Sequence, residues 1–550
     1  MESLPGSIFQ SNQPFTQLGI LLALTFLTYW HTLRCGWTSD DCAFSGPDAK
    51  PISTYEGKLQ RPLSWANLCK KWRWLVGRVP TSNLKWQAEK QSPYQNLPRA
   101  HHRLNLWLSW GVSSLFYLFL RQMIGDPLAF LTVALWTVHP LGCQTIAWVS
   151  GINYLLGAFW MGVGLNLILL AQSSGWLTTP EGVFLILSLF AVCQWLAAES
   201  LYQMVGVIPI LLWMQAWPFA IVATLLAIVQ AFHTFRDAVT LRRKVFHEQQ
   251  MGASTRFTLG KLVVVPKLLW YNFGLAIFPK RLGLYHKYLY HYDLPHAEYE
   301  DRNAFYGLLL GVGLISSPLI GSTPLTLGSL WFLSFLALFC GWIIANQAVV
   351  DRYVWLPSLG VCLLVSHLLL LTNLLWLYSI LFGILLMRTW VHLPTYQDED
   401  AFYQSNIFNF PTSEVAYGNL GVVCIQQGWI GRAMEAWVKG IDLNPEYDVC
   451  WYNLASALRS RGPLNPNYLP RLFQLVPKEV LELALNRDPQ RQHLHLAAYC
   501  LHRAVTARTC HFPKPWEEEL RVMQQELSRP IGAPLPSVPL IRPLLTAALT

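Results

Sequence analysis

Long apolar runs constrain this chain more than anything else in its sequence. A membrane span needs about 20 predominantly apolar residues. Runs of that kind recur at 15–33, 103–121, 127–140, 145–172, 181–198, 201–216, 218–235, 259–279, 303–320, 325–347, 353–371 and 372–390. The connections between them are mostly short and basic. Hydrophobic residues make up 53% of the chain and charged residues 13%, against roughly 25% charged in ordinary soluble domains. The 25 Trp and 22 Tyr suit belts at the two membrane interfaces. The expected fold class is all-α: a polytopic helical membrane domain, followed by a helical repeat region.

Charge placement orients the runs. The basic loop Arg236–Lys261, with Arg242, Arg243 and Lys244, belongs on the cytoplasmic side. Counting onward, 259–279 exits, 303–320 returns, 325–347 exits, 353–371 returns and 372–390 exits, so the C-terminal region faces outward. An inward N-terminus with an outward C-terminus needs an odd number of crossings. The runs above therefore hold one too many, placed in 201–235, where Trp217-Pro218 splits two of them. About eleven spans are expected. The polar segment 34–102 reads as a folded outer loop, with Leu63 to Leu75 amphipathic enough to lie flat on the headgroups.

Other signals exclude more than they assign. The net charge of +9 is dispersed over the ends and loops of apolar runs, which argues against nucleic acid as a partner. The 11 Cys are scattered, several inside apolar runs (Cys193, Cys340, Cys362), without zinc-type spacing or a disulfide framework. No basic stretch precedes the first apolar run, which therefore reads as a retained helix.

After residue 390 the composition turns globular, and the domain boundary falls at 394/395. Segment 414–447 has the roughly 34-residue length of one tetratricopeptide repeat (TPR). Tyr417, Leu420, Gly421, Ala433, Trp437 and Pro445 occupy that repeat's large, large, small, small, large and proline positions. A second repeat, 448–489, opens with Trp451, Leu454 and Ala455, carries an insertion, and closes on Asp488-Pro489. A third pair, 491–506 and 515–528, reads as a cap on the stack. Such arrays present a groove to a peptide or protein partner; the plainer reading is a packing cap on the membrane domain.

Several polar residues sit where chemistry is plausible at a membrane exit. Asp40-Asp41 follow the first run, and paired carboxylates there can act as a general base or hold a divalent cation. Ser-Asp-Asp is also ordinary turn chemistry. His139-Pro140 ends an apolar run, where a His can meet a phosphate or donate a proton. Glu199 stands between two runs, a costly place for a carboxylate unless it is paired or wet. Asp351-Arg352-Tyr353 opens a span on the outer side; Arg352 suits a phosphate, and an Asp351–Arg352 pair would equally anchor the helix end. Tyr285 and the His- and Tyr-rich run His286–His296 suit either a phosphosugar or a membrane interface.

Taken together these pieces resemble one family, the GT-C-fold membrane glycosyltransferases with C-terminal TPRs: the transmembrane and tetratricopeptide-repeat-containing O-mannosyltransferases and their bacterial relatives. The matching residues are Asp40-Asp41, Arg61-Pro62-Leu63, His102 and Asn105, His139-Pro140 with Ala147-Trp-Val-Ser-Gly151, Glu199, and Pro279 with Tyr285. The most specific is Asp351–Gly360, which looks like the family's [DE]-R-Y-x-Y-L-P-S-x-G. Asp at 351 is nearer the bacterial branch. The resemblance implies transfer of a sugar from a polyprenyl-phosphate donor to protein Ser or Thr on the outer side. Asp40 or Asp41 would be the catalytic carboxylate, alone or with a divalent cation. His139, Glu199, Tyr285, Arg352 and Tyr353 would surround the donor's phosphate and sugar. The TPRs would recruit the acceptor.

The chain also departs from that pattern. Gly142 and Gln144 stand where the family usually has His and Glu, Ile152-Asn153-Tyr154 replaces its charged stretch, and Ala198 and Ser109 replace a Lys and a His. These exchanges remove charge from the outer face. The second reading is therefore a catalytically degenerate membrane scaffold whose TPR region assembles a larger complex. A transporter is the remaining class, but no inverted repeat or broken-helix pair favours it. The outer side is the periplasm in a bacterium and the lumen of the endoplasmic reticulum in a eukaryote.

Overall fold

A computed structural model describes residues 14–36, 38, 97–196, 201–245, 259–284, 286, 301–339, 349–461, 470–487, 491–507 and 513–528. The described residues hold helices and no strand, which is the all-α class expected. They fall into two compact units, one drawn from 1–235, 257–284 and 294–398, the other from 236–256, 285–293 and 399–550. The expected flat helix at 63–75, and most of 34–102, lie outside the described residues.

The first unit contains α1 (Pro14–Tyr29), α2 (Leu97–Ile124), α3 (Asp126–Thr137), α4 (Gly142–Ile146), α5 (Ile152–Ser173), α6 (Pro180–Leu196), α7 (Leu201–Trp213) and most of α8 (Trp217–Val245). It continues with α9 (Leu259–Ile277), α10 (Asp301–Ile315), α11 (Thr323–Leu336), α12 (Asp351–Trp355), α13 (Ser358–Leu371) and α14 (Leu375–His392). Among the described residues two helices are long and apolar enough to cross a membrane, α5 and the run Leu375–Tyr396 that begins with α14; α3, α6, α11, α13 and the apolar stretches Gln203–Trp213 of α7, Trp217–Ala231 of α8 and Arg302–Ile315 of α10 are shorter.

The breaks between these helices have local causes. Pro357 interrupts the ladder between α12 and α13, because proline has no N–H to donate, while Leu356 and Pro357 keep helical dihedrals. A span running unbroken through 353–371 is thus replaced by a one-turn helix and a longer one. The expected span 145–172 likewise begins only at Ile152, after the short α4 and a 3-10 turn at Val149–Gly151. Residues 201–235 hold two helices: Gln215 takes a positive φ of 58° and Pro218 sits in the first turn of α8.

At one end of the unit the α2–α3 turn is tied to the start of α1. Gln17 donates to Asp126 across 3.0 Å, Tyr117 bonds both Gln17 and Asp126, and Arg121 pairs with Asp126 at 3.5 Å. Further along, an aromatic core joins α2, α3, α11 and α12. Phe116 meets Trp331 edge-to-face at 5.3 Å, and Trp136 stacks on Trp355 at 5.0 Å. Helices α11 and α13 approach so closely at Gly328 and Gly360 that a Cβ on Gly360 would collide with Gly328 O and Phe332 N.

The second unit is built from α15 (Glu399–Asn409), α16 (Glu414–Gln426), α17 (Ile430–Leu443), α18 (Asp448–Arg461), α19 (Pro470–Leu475), α20 (Lys478–Glu482), α21 (Gln492–Thr506) and α22 (Pro513–Leu527). Ser413 caps α16 by accepting from Ala416 N at 3.3 Å. Gly428, at φ 81°, turns the chain, and α17 folds back on α16. A Cβ on Gly421 would run into the Trp437 indole, whose Nε1 donates to Gly418 O at 2.9 Å. Helix α18 then packs on α21, and α21 on α22. Arg459 and Glu526, both largely buried, pair at 3.0 Å between α18 and α22.

Candidate functional site

The site of interest grows from α12. This helix is one turn long, so its last carbonyls are not taken up by a continuing i to i+4 ladder. Indoles and a hydroxyl supply partners, beside the Leu359 N–H that reaches Leu356 O at 3.3 Å. Trp136 Nε1 donates to Trp355 O at 2.8 Å, Ser358 Oγ to the same oxygen at 2.6 Å, and Trp331 Nε1 to Leu356 O at 3.0 Å. At its other end the buried Asp351 carboxylate accepts from Gly283 N at 2.7 Å, joining the turn to the segment after α9. The run Asp351–Gly360 is therefore a rigid mount.

Arg352 is held on that mount inside a ring of aromatics. Its guanidinium carbon lies 4.9 Å from the Trp148 ring, 5.1 Å from Tyr353 and 5.9 Å from Tyr154. Its Nε donates to the Tyr154 hydroxyl at 3.2 Å, and its backbone N–H to Gln144 Oε1 at 2.9 Å. Tyr353 is stacked flat on Phe339, centroids 4.0 Å apart. Three π faces around one guanidinium stabilise its charge, with Nη1 buried and the residue as a whole partly exposed.

The 141–151 loop that supplies Gln144 and Trp148 is braced from α2. Asn105 Nδ2 donates to Ile146 O at 3.2 Å and to Trp148 O at 3.3 Å. Gly151 has no Cβ to strike the carbonyl of Thr145, which lets the loop close on itself. Trp148 Nε1 in turn donates to Thr38 O at 3.0 Å, and His102 Nε2 lies 3.4 Å from Gly36 O. The stretch leaving α1 is thus pinned against the Arg352 ring, two residues before Asp40.

Of the residues singled out in the sequence, Arg352 and Tyr353 meet in this place, with His102 and Asn105 supporting it. His139 does not join them. It is fully buried; Nδ1 accepts from Leu141 N at 3.3 Å, which assigns the proton to Nε2, and Nε2 faces Ala276 O at 3.1 Å. The imidazole braces the α3–α4 turn against the end of α9, and none of its polar contacts reaches Arg352. Asp40, Asp41, Glu199 and Tyr285 lie outside the described residues. Sequence reasoning missed Trp148, Tyr154 and Gln144 as partners of Arg352, counting Gln144 and Tyr154 only as charges lost. Their uncharged chemistry was the signal: a cation can be held by rings and an amide as well as by carboxylates. Among the described residues no group of three or more His, Cys, Asp or Glu could hold a metal ion.

No protein-family profile, characterised protein or solved structure matches this chain.

Proposed function

We propose that the chain is a polytopic integral membrane protein of GT-C type with about eleven spans. It transfers a sugar from a polyprenyl-phosphate donor to protein Ser or Thr on the outer side, and its second unit is a TPR-like array that recruits the acceptor. The membrane part of this reading draws support from apolar side chains left uncovered on helix after helix. Phe184 and Val192 on α6, Ile221 and Ile228 on α8, Leu308 and Val312 on α10, and Ile380 and Met387 on α14 are each at least half exposed. Soluble proteins rarely leave so much contiguous apolar surface to water.

The observation that carries the chemical part is the tie from Trp148 to Thr38. It brings the stretch that leads into Asp40-Asp41 up to the one guanidinium in the aromatic ring. In the reaction proposed, an Asp carboxylate takes the proton of the acceptor hydroxyl as that oxygen bonds the sugar's anomeric carbon. The carbon–oxygen bond to the lipid phosphate breaks, and the phosphate leaves with the electron pair. Arg352 meets the charge that develops on it. Since the His139 ring is already occupied, that task falls to Arg352.

Sugar transfer by the purified full-length protein, from labelled polyprenyl-phosphate sugars to a membrane-depleted lysate, tests this reading. Transfer lost in Asp40→Asn/Asp41→Asn and in Arg352→Ala, with insertion intact, is the expected result. The scaffold reading is favoured by one specific observation, the full engagement of the His139 ring within the fold. Absence of transfer from every donor by well-folded protein would replace the enzyme with that scaffold.

A further inference from the structure

A second cationic place lies on the outside of the first unit. Along the exposed side of α14, Ile380, Gly383, Ile384, Met387 and Val391 form a shallow apolar depression on one helix face, with Arg388 on its border toward the Val391 end. Gly383 opens it, since a Cβ there would meet nothing within 4 Å. From Ser379 to Val391 the lining covers about 18 Å of helix, room for an extended hydrocarbon chain. Arg388 Nη2 donates to Pro279 O at 3.1 Å and to Lys280 O at 2.8 Å. That clasp fixes the segment after α9 at the end of the groove, where Lys280 and Arg281 are both exposed. Among the described residues none of these three cations is in an ion pair; the carboxylate of that region, Asp351, is buried on Gly283 N. Phe278 and Trp30 are about half exposed, and Trp390 bonds Leu27 O at 3.3 Å. Residues of that kind lie at the headgroup level of a bilayer.

We infer that this groove is a binding site for an anionic phospholipid, one acyl chain lying along α14 and the phosphate resting on Lys280, Arg281 and Arg388. The argument is charge complementarity: an apolar furrow bordered by three cations that form no ion pair among the described residues matches a lipid with a negative head, and a zwitterionic head would bring an extra positive charge to the same place. The site shares no residue with the Arg352 ring, so its occupant is a lipid held beside the candidate site and not the group transferred there. The inference rests on the membrane placement proposed above and not on the transferase chemistry.

Full-length protein extracted in mild detergent from membranes of equal phosphatidylglycerol and phosphatidylcholine content would be weighed by native mass spectrometry. Preferential retention of phosphatidylglycerol is expected. Lys280→Ala/Arg281→Ala should reduce that retention roughly thirtyfold, as loss of two basic residues at about 1 kcal/mol each at an anionic headgroup implies. Gly383→Trp, which fills the furrow in open space, should reduce it without touching a charge. Equal retention of both lipids, or retention unchanged in both variants, would overturn the inference. So would retention of undecaprenyl phosphate in place of phosphatidylglycerol, which would make the occupant the carrier lipid. If alkaline carbonate strips the protein from membranes, the membrane placement itself fails; an inserted protein with no lipid preference sinks the lipid site alone.

Discussion

At the scale of single residues, an uncharged side chain often acts through one atom at long range in sequence. Gln144 gives its carbonyl to the backbone of Arg352, so it orients the guanidinium without neutralising it. The second unit carries a titratable example. Burial, with His495 beside it, holds the His493 imidazole below its ordinary value of 6.5. The unfolded chain therefore binds that proton more tightly than the folded one. This contribution is fully present above pH 6.5 and is lost as the pH falls from there through the lower folded value. Protease resistance of the second unit in the intact protein should accordingly decline with acidification below 6.5, and His493→Gln should flatten that decline. An identical pH profile in the variant would show that other groups govern it.

At the scale of elements, helix positions are set by where backbones can touch. Gly360 and Gly328 bring α11 and α13 together, which holds the Asp351–Gly360 mount in place beneath Arg352. Gly360→Ala puts a methyl group on the facing backbone and should destabilise the protein by about 1–3 kcal/mol. Gly383→Ala, whose Cβ meets nothing, should leave stability unchanged or raise it by up to about 1 kcal/mol. Thermal unfolding of the two variants in the same detergent separates these outcomes; equal melting temperatures would mean the close approach is not limiting. Much at this scale was legible in the sequence. The apolar runs become helices, and Pro218 marks a real interruption, whereas the break at Pro357 inside the expected span 353–371 was not foreseen. The start of α5 was not legible, because Ala147–Gly151 continues the apolar composition of the helix that follows while its backbone folds back on Thr145.

For the whole molecule, the decisive question is what surrounds the first unit. Leu309 on α10 is 54% exposed on a face whose other members are also apolar. Leu309→Arg on a water-facing helix would be close to neutral. In a bilayer it should cost about 2.5–3.5 kcal/mol on the insertion scale and reduce the membrane-integrated fraction. Glycosylation-reporter insertion assays, with carbonate extraction of the full chain, read the difference. Unchanged integration of the variant would argue that this face meets something other than lipid.

The sequence by itself determined the all-α class and the apolar runs, because each depends on local composition, helix periodicity and the stereochemistry of Pro and Gly. Asp351–Gly360 was singled out as a candidate by a family resemblance and the charge of Arg352. Tertiary structure alone decided which residues meet there. Arg352 and Gln144 stand 208 positions apart, Trp148 and Thr38 110, and His139 and Ala276 137. Contacts over such separations follow from how helices pack, and no local pattern encodes them. That is why His139, a plausible phosphate ligand as a letter in a sequence, is a brace between helices, and why Trp148 and Tyr154 enclose the cation it was expected to accompany.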